Sequence, residues 1–192
     1  SPSVSPSPSG IPDTCVVDQE QTIGIDDGNT FGLVSDSEKS GQTFIPSKTA
    51  EICNIKVGLA KEGNPTDNVS LGVYTNNAGS PGTLIAESEI QKSGSELSVF
   101  EYPNFSAFVD VNFTFLSGYQ LTLDNTYWFV LNRTGELSDT NYYYVAIANR
   151  EIDTYTLGKN YLKLTGSSVW QNGDGWGYYI DTYFQEYYDN TT

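Results

Sequence analysis

Residues 42–82, QTFIPSKTAEICNIKVGLAKEGNPTDNVSLGVYTNNAGSPG, contain two segments in which apolar and polar residues alternate. The residues expected on the buried face are Cys53, Ile55, Val57 and Leu59 in the first segment, and Val69, Leu71 and Val73 in the second. A period of two is typical of β-strands with one buried face. A turn at Gly63-Asn64-Pro65 separates the segments, and Gly79-Ser80-Pro81-Gly82 predicts a second reversal. The sequence therefore predicts an antiparallel sheet.

Strand patterns continue along the rest of the chain. Tyr127–Leu131 and Tyr142–Ala148 are apolar on both faces, which predicts strands covered on both sides. Tyr161–Leu164 and Ser168–Trp170 are expected to form a hairpin across Gly166. No stretch shows sustained helical periodicity. About nine or ten short strands at this spacing predict an all-β sandwich or barrel.

The chain divides into three parts by composition. Residues 1–13 are rich in Ser and Pro and predict an extended spacer or linker. Residues 14–188 are long enough for one domain with a substantial core. Residues 189–192 form a polar C-terminal tail. The missing initial Met suggests a processed or excised piece.

The first strand of the domain has two possible arrangements. Thr14–Ile25 is expected to contain a short strand at Cys15, followed by a turn at Asp26-Asp27-Gly28-Asn29. This strand could leave its own body and complete the sheet of a neighbouring subunit. We favour pairing within its own sheet, because a disulfide to Cys53 would hold it there.

The charge balance argues against several classes of function. Nine basic and 24 acidic residues give a net charge of −15, which would repel nucleic acid and anionic lipid surfaces. No apolar run is long enough to span a bilayer, so we expect no membrane insertion. The chain has no His, and no G-x-S-x-G or phosphate-binding glycine loop occurs. We therefore predict a protein that is not an enzyme and requires no cofactor.

Cysteines and glycosylation sequons indicate a secreted or cell-surface location. Paired as a disulfide, Cys15 and Cys53 would contribute about 3–4 kcal/mol in the chain-entropy model. The alternative is two buried free thiols. Five N-x-S/T sequons favour the extracellular interpretation. Their asparagines are Asn68, Asn104, Asn112, Asn132 and Asn190.

One loop is the best candidate for contact with a glycan or a partner protein. Trp170 and Trp176 flank Asn172 and Asp174, which supplies flat rings for sugar stacking and polar groups for hydroxyls. We favour a structural role, in which Trp170 fills the sandwich core and Trp176 caps its end or packs on a neighbouring subunit. Aromatic residues are also enriched at protein interfaces.

A structural calcium ion is a second candidate. Asp26, Asp27 and Asn29, with Asp174, could supply the oxygen ligands that calcium prefers. Ordinary turn chemistry is the alternative explanation for these residues.

The order of these elements resembles a family of extracellular modules. The residues that carry the resemblance are Gln42-x-Phe44, the Ile55, Val57, Leu59, Lys61, Gly63, Pro65 series, Leu71-x-Val73, the Gly79–Gly82 turn, Tyr127-Trp128, Tyr155-x-x-Gly158, Trp170 and Asp181-x-x-Phe184. The pattern is similar to jelly-roll modules of secreted bacterial and archaeal surface proteins, including choice-of-anchor-type and phage tail-fibre domains. It implies an antiparallel two-sheet jelly-roll β-sandwich, related in architecture to carbohydrate-binding modules, with no catalytic residues.

We therefore expect a non-enzymatic, glycosylated surface protein. The first hypothesis is a subunit of a filament, pilus-like thread or fibrous adhesin, whose partners are copies of itself or neighbouring modules. The alternative is a carbohydrate-binding module that recognises a glycan through an aromatic loop.

Overall fold

A computed structural model describes residues 14–22, 24–89, 91–116, 118–148, 155–172 and 181–191. The described chain forms two antiparallel sheets packed face to face, which confirms the predicted β-sandwich. The predicted spacer, residues 1–13, lies outside the described residues.

Sheet 1 has seven strands and carries the N-terminal and last strands. Its strands are β1 (Cys15–Gln21), β2 (Ile25–Phe31), β4 (Ala50–Glu62), β8 (Val109–Thr114), β9 (Gln120–Leu121), β11 (Tyr142–Ala148) and β14 (Phe184–Asp189). The spatial order is β1-β14-β4-β11-β2, with β8 and β9 also paired to β4. The long strand β4 is therefore the centre of this sheet.

Sheet 2 also has seven strands. They are β3 (Ser37–Phe44), β5 (Asn68–Asn77), β6 (Ser80–Glu87), β7 (Lys92–Ser93), β10 (Tyr127–Arg133), β12 (Asn160–Leu164) and β13 (Trp170–Asn172). The order is β13-β12-β3-β10-β5-β6, with β7 paired to β5. Consecutive strands repeatedly lie in opposite sheets, which is the kind of connectivity found in jelly rolls.

The core contains the apolar faces predicted for β4 and β5. Ile55, Val57 and Leu59 are completely buried, as are Val69, Leu71 and Val73. Cys53 differs from the prediction, because a β-bulge opposite Tyr187 and Tyr188 interrupts the alternation there. As a result Ile52 joins the core cluster, and Cys53 stays outside it.

Both predicted chain reversals occur, but the second turns at different residues from those predicted. Gly63 has φ of +65°, as a tight turn between β4 and β5 requires. The β5–β6 hairpin turns at Ala78 and Gly79, which have φ of +50° and +84°. Pro81 and Gly82 lie in β6 itself.

The N-terminal strand pairs within its own chain. β1 runs antiparallel to β14, and Cys15 is bonded to Cys53, with 6.3 Å between their Cα atoms. The predicted disulfide is therefore confirmed. β14 includes Asp189, one residue beyond the predicted domain boundary, and the Asn190 amide donates to the Thr14 carbonyl.

The turn predicted at Asp26–Asn29 is wrong. These residues belong to β2, which pairs with β11 through Asn29 opposite Val145 and Gly28 opposite Ala146. The Asp-Asp-Gly-Asn composition is typical of turns, but the pairing with β11 overrides that local preference. A Cβ on Gly28 would lie 2.7 Å from the Phe108 ring, so close packing explains this glycine in a strand.

A buried polar network joins the two sheets. The Gln42 amide donates to Asp181 Oδ1 at 3.2 Å and accepts from the Thr182 backbone N–H at 2.9 Å. Asn160 Nδ2 donates to Thr182 Oγ1 at 2.8 Å. Gly158 is required by close approach, since a Cβ there would lie 1.8 Å from the Thr43 carbonyl oxygen. Gln42, Gly158 and Asp181, which belong to the residue pattern that resembles surface jelly-roll modules, therefore have structural roles in this fold.

Residues 98–108, which we call the covering segment, fold over the outer face of sheet 1. Phe100 packs against Phe108 and Tyr144, at 4.9 Å and 5.0 Å between ring centroids. Together with Ala60 they form a second small cluster, separate from the main core.

Within the described residues, no helix is long and apolar enough to cross a membrane.

Candidate functional site

Aromatic side chains meet on the outer face of sheet 2. Trp128 of β10 points away from the core, yet it is completely buried. Its ring is covered by Tyr161 of β12 at 4.5 Å and by Trp170 of β13 at 5.5 Å, both between centroids. The Trp128 indole N–H donates to Asn76 Oδ1 at 2.9 Å. We call Trp128, Tyr161 and Trp170 the aromatic face.

A glycine allows these rings to lie close to the sheet. Gly41 of β3 pairs with Tyr161 and with Val130 of β10. A Cβ on Gly41 would lie 3.0 Å from the Trp170 ring and 3.4 Å from the Trp128 ring. A larger residue would therefore push Trp170 outward and break up the aromatic face.

A groove of about 250 Å³ opens beside the aromatic face. Trp128 and Tyr161 form one side of it. The polar residues that line it include Thr43, Asn76, Thr126 and Lys159. An aromatic wall beside a few hydroxyl, amide and ammonium groups is a typical composition for a small-molecule site.

Three lysines border the same surface. Lys163 pairs directly with Trp170 on one side and with Lys39 on the other, so the three lie in one cross-strand row. The Lys163 ammonium contacts Glu38 Oε1 at 2.8 Å. Lys159 lines the groove. Three of the nine basic residues of the chain therefore border the aromatic face, and one of them, Lys163, is paired with Glu38.

The structure corrects the role predicted for Trp170. We expected it to fill the sandwich core, but it is partly exposed on the outer face of sheet 2. Asn172 lies opposite Tyr161 in the β12–β13 hairpin and shares its face. Asp174 and Trp176 lie outside the described residues.

The proposed calcium ligands lie in a strand, so their side chains do not converge on one point as they would in a turn. Asp26 and Asp27 are neighbours in β2, so their side chains leave opposite faces of the sheet. Asp27 Oδ1 accepts from the Gly28 N–H at 2.8 Å, and Asn29 Nδ2 donates to Asn160 Oδ1 at 2.8 Å. Among the described residues, no group of three Cys, Asp or Glu side chains could hold a metal ion. Calcium binding stays a prediction.

The sequons occupy different surfaces. Asn104 and Asn190 are exposed, and Asn112 lies on the outer face of sheet 1, where it accepts a hydrogen bond from Asn54 at 3.3 Å. Asn68 and Asn132 lie on the outer face of sheet 2. Their glycosylation stays a prediction.

Asn132 is the sequon next to the candidate site. Leu131 pairs with Ser40, so the next residues, Asn132 and Lys39, are cross-strand neighbours. Such neighbours have Cβ atoms about 4.5–5.5 Å apart. A glycan on Asn132 would therefore begin beside Lys39.

One buried and one partly buried carboxyl group lie away from the aromatic face. Glu186 is 1 % exposed, and burial, together with the nearby Asp18 charge, raises its pKa well above the ordinary value. Burial also disfavours ionisation of Asp67, but hydrogen bonds from Arg133, Gly135 and Tyr143 outweigh it and lower its pKa. Arg133 binds both Asp67 oxygens, at 3.0 and 2.8 Å. This ion pair links the end of β10 to the loop between β4 and β5, which is a structural role.

Sequence reasoning found Trp170 and Asn172 but missed the residues around them. Tyr161 and Lys163 were not predicted, because their places beside Trp170 depend on the exact register of the β12–β13 hairpin. Lys39 was not predicted, because its place depends on the pairing of β3 with β12. The sequence did carry one signal. Because basic residues are few in this acidic chain, each lysine is a candidate for a specific role, and Lys39 and Lys163 could have been singled out on that ground. Register, however, cannot be read from spacing alone.

Comparisons with known proteins give no family. No protein-family model matches the chain, and no curated protein matches it. The fold and the site therefore define an antiparallel β-sandwich with an aromatic outer face that is bordered by lysines, and the resemblance to surface jelly-roll modules stays a prediction.

Proposed function

We propose that this chain is a non-catalytic extracellular module that binds a glycan on the outer face of sheet 2. The observation that carries the proposal is the aromatic face, in which the partly exposed rings of Tyr161 and Trp170 rest on the buried Trp128. Sugar rings present apolar C–H faces that pack on aromatic rings, and their hydroxyls need polar partners. The adjacent groove supplies Asn76 and Lys159 for that purpose.

Rigidity supports this role. Trp128 is held by its hydrogen bond to Asn76, and Tyr161 and Trp170 lie on paired strands of one hairpin. A preorganised surface loses little conformational entropy when a ligand binds. The disulfide and the sequons support an extracellular location, because disulfides persist in oxidising compartments.

The test is glycan retention by the wild-type protein and two variants on a broad polysaccharide panel. Trp170→Ala should abolish retention, since it removes the outermost ring of the aromatic face. Tyr102→Ala is the matched control: Tyr102 is 73 % exposed and lies in the covering segment of the other sheet. If the wild type retains no polysaccharide, or if both variants bind as well as the wild type, the proposal is wrong.

A second candidate is the filament subunit, and one edge strand favours it. Within the described residues, β1 pairs with β14 alone, and it exposes Val16 and Val17 at 38 % and 41 %. Exposed edge strands can accept a strand from another chain. Electron microscopy of the native material should then show fibres, and Val17→Lys should prevent their formation. A monomer at all concentrations would reject this candidate.

A further inference from the structure

Several basic residues have structural roles, because they form ion pairs or hydrogen bonds with other residues of the described chain. Lys56 pairs with Asp110 at 3.3 Å, and Arg133 pairs with Asp67 at 2.8 Å. Lys61 is buried and donates to the Gly94 carbonyl at 3.0 Å. These cations have partners within their own protein, so they do not call for a ligand.

Lys39 differs from them. Its side chain is partly exposed on the outer face of sheet 2, and no hydrogen bond or ion pair with another described residue holds its ammonium group. It also lies directly opposite Lys163 in the β3–β12 pair. Like charges placed directly opposite each other destabilise a sheet. Glu38 compensates Lys163, but Lys39 has no such partner among the described residues.

The uncompensated charge lies within reach of a sugar bound at the aromatic face. Trp170, Lys163 and Lys39 occupy one cross-strand row, and adjacent strands are about 4.8 Å apart. The backbone at Lys39 is therefore about 10 Å from that at Trp170. A saccharide that stacks on Trp170 and runs along this row would place its next sugar over Lys163 and Lys39.

Resting on the proposed glycan site, we propose that the ligand is a polysaccharide of uronic acids. One carboxylate per sugar would neutralise Lys39 and leave the ring face and hydroxyls uncharged for stacking and hydrogen bonding. Local charge decides this contact, because at physiological salt the screening length is about 8 Å. A densely sulfated chain carries more charge per sugar than these lysines can neutralise, and the net charge of −15 of the protein opposes its binding.

The experiment compares two forms of one backbone. Protein produced without glycosylation is titrated with polygalacturonate and with its fully methyl-esterified, neutral form. We expect affinity for the acid form to be about tenfold higher, which corresponds to one charge-assisted contact. This difference should shrink as NaCl is raised, while binding of the ester should not change.

Variants assign the effect to Lys39. Lys39→Gln should bring the acid form down to the affinity of the ester, and Lys39→Arg should keep the preference. Lys92→Gln is the control, because Lys92 is paired with Glu96 and lies in β7, three strands away from Lys39 in sheet 2. It should leave both affinities unchanged.

The outcomes separate this inference from the proposed function. Equal, Trp170-dependent binding of the two forms would overturn the uronate inference and leave the glycan site standing. Tighter binding of dextran sulfate than of polygalacturonate would also overturn it, in favour of a general anion site. Failure to retain any polysaccharide on the broad panel would overturn the glycan site itself.

Discussion

The outer faces of the two sheets both carry aromatic rings, but only one of them is covered by another described segment. On sheet 1, the covering segment places Phe100 against Tyr144 and closes a small apolar cluster that Phe108 joins. On sheet 2, Tyr161 and Trp170 cover Trp128 and remain partly exposed themselves. Similar residues therefore have different surroundings on the two faces.

This difference shows that cover and local charge, more than aromatic content, indicate a site. Burial raises the pKa of the Tyr144 phenol, and the neighbouring Tyr142 and Glu62 raise it further. That environment disfavours charge and stabilises a packed cluster. The aromatic face instead lies beside an ammonium group with no described partner. An exposed ring next to an uncompensated charge is suited to binding, whereas a ring under a covering segment is suited to stability.

The largest effect is expected from Phe100→Ala on the covered face. Phe100 is 7 % exposed and contacts three other rings, so its removal should lower the free energy of unfolding by about 3–4 kcal/mol. Trp170→Ala should cost less, because that ring is already partly in water. Urea unfolding monitored by fluorescence measures both values.

The same two variants should separate folding from binding. Phe100→Ala should keep polysaccharide retention under conditions in which it is folded, and Trp170→Ala should lose it. If Trp170→Ala destabilises the protein as much as Phe100→Ala does, the aromatic face is a structural cluster and the contrast between the faces fails.

The sequence predicted the parts of the fold that depend on local pattern. Alternation in β4 and β5 identified the core faces correctly except at Cys53, where a bulge shifts the pattern, and the apolar run at Trp128 indicated a strand covered on both sides. The Asp26–Asn29 turn was wrong, because pairing with β11 outweighed turn-like composition. Trp170 was assigned to the core since nothing in its own segment shows which face of sheet 2 it occupies. The cross-strand row of Trp170, Lys163 and Lys39 depends on register between distant segments, which one sequence does not provide.

An intermediate effect is expected from Glu186→Gln, which alters the interior without touching either outer face. Burial raises the pKa of Glu186, so the folded protein favours its neutral form. Stability from that form is fully present below the unfolded pKa, near 4.5, and is lost as the pH rises towards the folded pKa. Glutamine stays neutral, so the variant should be more stable than wild type by about 1–3 kcal/mol at neutral pH and nearly equal to it at pH 4.

Thermal unfolding across pH 4 to 8 measures this gain, with Glu20→Gln as the control. Glu20 is an exposed neighbour in β1 whose carboxylate accepts from Gln185, and its replacement should change stability little at any pH. A gain for Glu186→Gln that does not grow with pH would show that this carboxyl is accommodated in its charged form. Polysaccharide retention should be the same in both variants, since the site lies on the opposite sheet.

The smallest effect on stability is expected at Asn132, where a glycan should also restrict access of the polysaccharide to the aromatic face. A glycan there would begin beside Lys39 and cover one end of the aromatic face. Wild-type protein glycosylated at Asn132 should therefore bind polygalacturonate more weakly than the unglycosylated protein, and Asn132→Gln should restore binding. Its free energy of unfolding should change by under about 0.5 kcal/mol, because Asn132 is a partly exposed strand residue.

Asn112→Gln, on the outer face of sheet 1, is the control and should not restore binding. Equal affinity of the glycosylated and unglycosylated proteins would mean that the ligand does not extend over Lys39, and the binding surface would then be restricted to the groove beside Tyr161.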